Sequence, residues 1–397
     1  MNRTRFACTR TLWQGRDALV LSNGVVRLTT LLGGGHIAQF TLEVDGGSLN
    51  PLWVPPWSTI DPSRYGEKIH RQFYGTITEG KLLSGLAGHS ICLDYFGSPS
   101  PEEAQQGLSQ HGEAPCSRWR VTQIRKARTS VALTTTVRLP ISGLIFSREI
   151  ELRQQEPVTY FTETVCNTRR SDHFFHWIEH VTLGSPFLSR DDARITIPGT
   201  RALTDPHGYD EGKALLASNE EFRWPNAPLR KGGSIDLSQV FSTPGLGFVV
   251  AILIDERRQT GFVAAVNKAA GFLIAYCFRR ADFPWIAVWE ENCAIQARPW
   301  SGRTRARGLE FGTTPLPLGR RESFLSGQLF GIPTMTYVPA MAKTTIRYVG
   351  FVARLPKAFG SVRDIAVELN TISIHPDIGR TFFVPAEGVA RFLNVET

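Results

Sequence analysis

This 397-residue sequence is short of everything that would place it outside the ordinary globular proteins. It has no apolar run near the ~20 residues that span a bilayer. Met1 to Asp17 is polar and lacks the apolar stretch of a secretory leader, so no membrane partner and a cytoplasmic location are expected. The six cysteines, Cys8, Cys92, Cys116, Cys166, Cys277 and Cys293, include no CxxC pair and no zinc-finger spacing. That excludes a disulfide-stapled scaffold and reads as scattered thiols of a reduced protein. There is no repeat of roughly 20–50 residues and no low-complexity linker. No phosphate-cradling loop occurs: Gly33-Gly34-Gly35 follows a strand, but neither a Lys-Ser/Thr pair nor a helix follows it, so it reads as a turn. No GxSxG elbow and no HExxH is present. Helical periodicity is scarce as well, with Pro101 to Leu108 the one short candidate, capped by Ser100 with Pro101 in first position.

What remains is a composition of 42% hydrophobic and 20% charged residues, enough for a large core and too apolar for a disordered chain. The formal charge is +8. The positives fall as scattered doublets, Arg169-Arg170, Arg257-Arg258, Arg279-Arg280 and Arg320-Arg321, without a long basic helix or a nucleic-acid motif, so no nucleic-acid partner is expected. The densest run, Arg298, Arg303, Arg305 and Arg307, leaves an anionic substrate open.

Short β-rich runs recur: Leu19 to Leu21, Val25 to Leu32, Val131 to Val137, Val158 to Val165, Phe248 to Ile254, Phe272 to Phe278, Trp285 to Trp289 and Thr345 to Val352. Turns such as Ser22-Asn23-Gly24, Asp45-Gly46-Gly47 and Lys231-Gly232-Gly233 separate them. Leu144 to Leu152 alternates as a half-buried strand does. The fold class read from this pattern is all-β, a large antiparallel β-sandwich with few short helices. It is expected to form a single domain over residues 1–397, with Thr345 to Val352 and Arg380 to Val384 as edge strands of the same body.

Four polar patches sit among aromatics. They are Gly88-His89 with Cys92 to Gly97, His111-Gly112-Glu113 with Trp119, Phe174 to Leu188 carrying His176, Glu179 and His180, and Trp285 to Glu291 with Gly308 to Pro315 around Glu310. Each has a bland explanation. A histidine beside a strand is often a satisfied side chain, Glu310 can pair with a nearby arginine, and Trp285 and Trp289 can be core. Together they suggest a carbohydrate site, because flat aromatic faces stack on sugar C–H surfaces while imidazole and carboxylate handle hydroxyl protons. A wider pocket of His89, Asp94, Glu113, His176, Glu179, Trp289 and Arg307 is expected around it.

At these residues the sequence resembles the aldose 1-epimerase, or galactose mutarotase-like, superfamily over roughly residues 20–350. Leu21 to Phe40 (LSNGVVRLTTLLGGGHIAQF) resembles the family's first hairpin, and His111-Gly112 with Trp119 its HG motif and following tryptophan. Phe146 to Asn167 resembles a later hairpin, and His180 falls at the second histidine. Val288-Trp289 with Glu310 matches the late strand and its glutamate. The resemblance implies a galactose mutarotase-like super-sandwich with Glu310 as general base, His180 as general acid and His111 binding or assisting. It implies anomer interconversion of an aldose or modified sugar, no metal and no organic cofactor. The departures are the carboxylate at Glu113, the extra groups His176 and Glu179, Thr182-Leu183-Gly184 after the second histidine, and a Ser98 to Gln110 insertion. Arg71 is a poor counterpart of the family's substrate-binding arginine.

Two other classes stay open. One is a sugar-binding protein without turnover. The other is a metal-dependent sugar isomerase or lyase, since His111, Glu113, His176, Glu179 and His180 are donors that Zn²⁺ or Mn²⁺ accepts.

Overall fold

The computed structural model describes residues 6–43, 49–189, 192–210, 212–241, 243–356 and 358–396; the Asp45-Gly46-Gly47 turn lies outside them. Two antiparallel sheets, one of twelve strands and one of eight, carry the chain. The middle of the larger sheet runs His89–Asp94, His173–Gly184, Arg305–Gly312, Trp285–Asn292, Leu246–Ile254. The smaller sheet is centred on Thr260–Asn267, Phe272–Arg279, Lys343–Arg354 and Val158–Asn167. Their facing side chains form one continuous core that includes Phe146, Phe161, Trp177, Tyr276, Phe278, Phe311 and Tyr348. Within it Phe161 stacks on Tyr348 and Phe278 on Phe311, each at 4.5 Å between ring centroids, the offset geometry aromatic pairs favour.

Burial patterns explain why the strands look different in sequence. Leu144–Arg153 alternates buried and half-buried along its whole length, one face in the core and the other toward water. Thr260–Asn267 and Phe272–Arg279 are buried on both faces, hence their nearly unbroken apolar runs. Their second face is covered by a three-stranded sheet, Val362–Val367, Thr371–Pro376 and Phe382–Pro385, and the Val389–Leu393 helix, which share a second core with them. Thr345 to Val352, expected at an edge, lies inside the eight-stranded sheet, between Phe272–Arg279 and Val158–Asn167. Arg380 to Val384 belongs to the small sheet instead.

The five α-helices among the described residues are short, and none is long and apolar enough to cross a membrane. Ser100 caps Pro101–Gln105 in a complete capping box with Glu103. That helix stops before Leu108 because Gly107 takes a left-handed φ of +93°. Two further helices, Glu67–Tyr74 and Ile77–Leu83, are each only about two turns long, and Gly75 (φ +93°) separates them.

Candidate functional site

Register across the large sheet assembles the site. His180 stands directly opposite Glu310 on the neighbouring strand, and Glu310 opposite Ala287 on the next. Two residues along, on the same face, the row reads Thr182, Gly308, Trp289, Val249. This face points away from the inter-sheet core, which takes the alternate residues Val181, Leu309, Val288 and Val250. The small residues Ala287 and Gly308 leave the floor open beside His180 and Glu310. At Gly308 a methyl would overlap Glu310 Oε1 and sit 3.0 Å from its Cδ. The carboxyl therefore lies folded back over the strand.

Glu310 Oε1 is 3.2 Å from His180 Nε2, with both side chains nearly inaccessible. The two atoms are close but not aligned as a hydrogen bond, and Oε1 has no hydrogen-bond partner among the described residues. The His180 ring is held from the other side, Nδ1 lying 3.0 Å from Thr182 Oγ1. The His111 ring sits 5.0 Å from it, brought there by a left-handed pair, His111 (φ 64°) and Gly112 (φ 84°). Only glycine fits at 112, since a Cβ would run into the Leu93 carbonyl. His111 Nδ1 is 2.7 Å from the Phe96 carbonyl. A carbonyl only accepts, so Nδ1 carries the proton and Nε2 is an acceptor.

Burial dominates the proton equilibria. It pushes Glu310 up to about 8, His180 well below the usual imidazole range and His111 down to about 4. The three line a cavity of about 220 Å³ together with Trp289 and Trp300, whose rings approach to 6.0 Å. Trp289 is also 6.1 Å from the His180 ring.

The other expected residues are placed elsewhere. His89 and Glu179 are on the core face, 2.8 Å apart, in a network in which Arg148 binds both Glu163 and Glu179. Tyr348 Oη lies 2.9 Å from an oxygen of each carboxylate. Arg307 is on the core face too, wholly buried, paired with Glu290 and donating to the carbonyls of Leu237 and Gln239. Glu113 accepts from the amides of Ile141 and Ser142 and anchors that turn. Asp94, at φ 76°, binds His173 and Arg320 at the far end of its strand. His176 shares the face of His180, but its Nδ1 accepts from the Phe96 amide and it does not line the cavity. The donors His111, Glu113, His176, Glu179 and His180 thus do not converge. Among the described residues no group of three His, Cys, Asp or Glu side chains is placed to hold a metal ion.

No protein-family model matches the sequence and no curated protein matches it. Solved structures do match in shape. A candidate aldose 1-epimerase from Klebsiella pneumoniae superposes with a TM-score of 0.64 at 16% identity, over 87% of this chain and 81% of that one. The chain has the galactose mutarotase-like fold. A galactose mutarotase-like protein from Clostridium acetobutylicum aligns over 88% of this chain and 99% of its own, with a TM-score of 0.57 and 10% identity. A candidate aldose 1-epimerase from Escherichia coli K12 covers 88% and 100%, with a TM-score of 0.53 and 15% identity.

On this mutarotase-like sandwich, sequence reasoning missed the walls of the cavity. Leu82, Leu83 and Leu86 come from the Ile77–Leu83 helix and the turn after it, and Ile295 and Trp300 from the loop after Trp285–Asn292. Tyr209 comes from a stretch that reads as loop. The surplus of tryptophans was the one signal pointing to Trp300.

Proposed function

We propose that the chain is an aldose 1-epimerase-type isomerase that interconverts the anomers of a cyclic sugar hemiacetal. The observation that carries this reading is the Glu310–His180 pair, 3.2 Å apart on the floor of a cavity.

Anomer exchange needs one proton removed from the O1 hydroxyl and one given to the ring oxygen. Burial leaves the pair with a single proton at neutral pH, on Glu310 in the protein alone. A sugar O1 hydroxyl that donates to Glu310 favours the carboxylate, and the displaced proton has His180 Nε2 as its nearest acceptor. Glu310 then takes the O1 proton as His180 gives its own to the ring oxygen. The C1–O5 bond breaks and C1 becomes an aldehyde. Rotation about C1–C2 presents the other carbonyl face, and closure reverses both transfers, returning each proton to its starting group. Neutral His111, with Nε2 as acceptor, orients a hydroxyl. Each positioned proton transfer is worth roughly 10²–10⁴-fold.

The test is anomer exchange followed by proton NMR across a panel of neutral aldoses, with Glu310→Gln as the control. Protein-dependent exchange that falls about 10²–10⁴-fold in the variant is expected. Absence of exchange with every sugar would overturn the reading, and binding without exchange would make the protein a carbohydrate-binding module.

A further inference from the structure

The chemistry of the cavity wall restricts what can occupy it. Among the described residues no lysine or arginine lines it. Of the arginine run that had left an anionic substrate open, Arg307 is buried against Glu290 and the others lie outside the cavity. Among the described residues, the acidic side chains lining it are Glu310 and Glu79. A phosphate or carboxylate would enter with no lysine or arginine to offset it and with two acidic side chains beside it, which is unfavourable in a partly desolvated site.

Polar groups are few as well. Tyr209 Oη donates to Glu291 Oε2 at 2.5 Å and accepts from the Trp289 indole N–H at 3.1 Å. These two polar atoms satisfy each other, and Glu291 in turn accepts the amides of Ala294 and Ile295. What remains for a ligand is His111 Nε2, His180 Nε2 and Glu310 at the reacting end, with Gln110 and Glu79 beyond. The rest of the wall is apolar, including Leu82, Leu83, Leu86, Val249, Ile295 and the tryptophan faces. At about 220 Å³ the cavity falls below the ~300 Å³ at which drug-sized ligand sites begin, so it holds a single ring.

We infer that the substrate is a neutral, amphipathic monosaccharide, a deoxy or O-alkylated aldose, rather than a free hexose, a sugar phosphate or a uronic acid. This rests on the anomer-exchange reading above. A free hexose carries a hydroxyl at nearly every ring position, and the groups facing the reacting end leave only Gln110 and Glu79 to pair with the remainder. Each hydroxyl left unpaired in the apolar part lowers kcat/KM by about fivefold or more. Each methyl buried there raises it about fourfold.

The experiment compares kcat/KM for anomer exchange, on the wild-type protein, among D-glucose, D-galactose, their 6-deoxy analogues, the 3-O-methyl-6-deoxy sugars and glucose 6-phosphate. The expected result is a rise of about tenfold or more from each hexose to its O-methylated 6-deoxy form, with no exchange of the phosphate. Equal or faster exchange of the free hexoses, or turnover of the phosphate, overturns the inference while the proton mechanism stands. If no sugar exchanges, the mechanism fails and saturation-transfer NMR on the same panel decides the ligand class. Tighter binding of the O-methylated deoxy sugars then supports the inference, and equal or absent binding overturns it.

Discussion

Gly308→Ala is the sharpest perturbation the site offers, because it displaces one carboxyl without replacing the residue that carries it. Gly308 is two residues from Glu310 on the same strand and does not adopt a left-handed φ, so alanine brings no backbone strain. By restricting the unfolded chain it should add about 0.4–1 kcal/mol of stability. The new methyl, however, would occupy space now held by Glu310 Oε1 and would press on Cδ at 3.0 Å and Cγ at 3.2 Å. Restoring ordinary contact moves the carboxyl oxygen by about 1 Å, and misplacement on that scale costs roughly 10² in rate. Exchange NMR should therefore show a loss of about 100-fold, while calorimetry finds the melting temperature within about 2 °C of wild type. The same substitution made on Glu310→Gln should add little further loss, since its effect runs through that carboxyl. Wild-type turnover in Gly308→Ala would refute the argument that the folded-back carboxyl is the working one.

Three other outcomes are expected. The Glu310 carboxyl titrates near 8 in the fold against an ordinary 4.5. Between those values the folded chain keeps a proton that the unfolded chain has lost, so stability falls as pH rises through the window. Urea unfolding at pH 5 and pH 8 should show Glu310→Gln gaining on wild type at the higher pH, and parallel profiles would contradict this. Arg148→Met removes the cation between buried Glu163 and Glu179, and chemical denaturation should register a loss of about 3–5 kcal/mol; a neutral effect would show that the carboxyls do not need it. Tyr209→Phe deprives Glu291 and the Trp289 indole of a shared partner. It should cost about 1–3 kcal/mol in stability and raise KM more than it lowers kcat.

The sandwich was legible because strand periodicity and turn residues report backbone geometry locally, as Leu144–Arg153 and the Ser100 cap illustrate. The pair His180 and Glu310 emerged from the family resemblance, and both line the same cavity. Glu179 and Arg307 illustrate why the wider pocket did not. Glu179 adjoins cavity-lining His180 along its strand and Arg307 adjoins Gly308, and one step flips a side chain to the opposite face, into a core where buried charges are paired. Whether a carboxylate in an apolar run faces a cavity or an arginine across the core depends on partners far away in sequence. Arg148 lies 31 residues from Glu179, and Tyr348 lies 169 residues away. Glu113 reads as a carboxylate of the wider pocket, yet its oxygens hold two backbone amides. The leucine wall came from one helix, Ile77–Leu83, and the turn after it, too short to announce themselves.

The three-stranded C-terminal sheet has a consequence for how the chain is made. Phe262, Leu273, Val349 and Phe351 on the second face of the eight-stranded sheet are covered by Ile365, Ile372, Ile374 and Val384, residues made after them. At roughly 5–20 residues per second, several seconds pass in which the central strands have been synthesised while their cover has not. During that interval the nascent protein carries a wide greasy surface of the kind that recruits chaperones or sticks to its own copies. Burial of that surface waits for the Val362–Val384 strands, so a message truncated after Arg354 would yield a product prone to aggregate even with every residue of the Glu310–His180 cavity present.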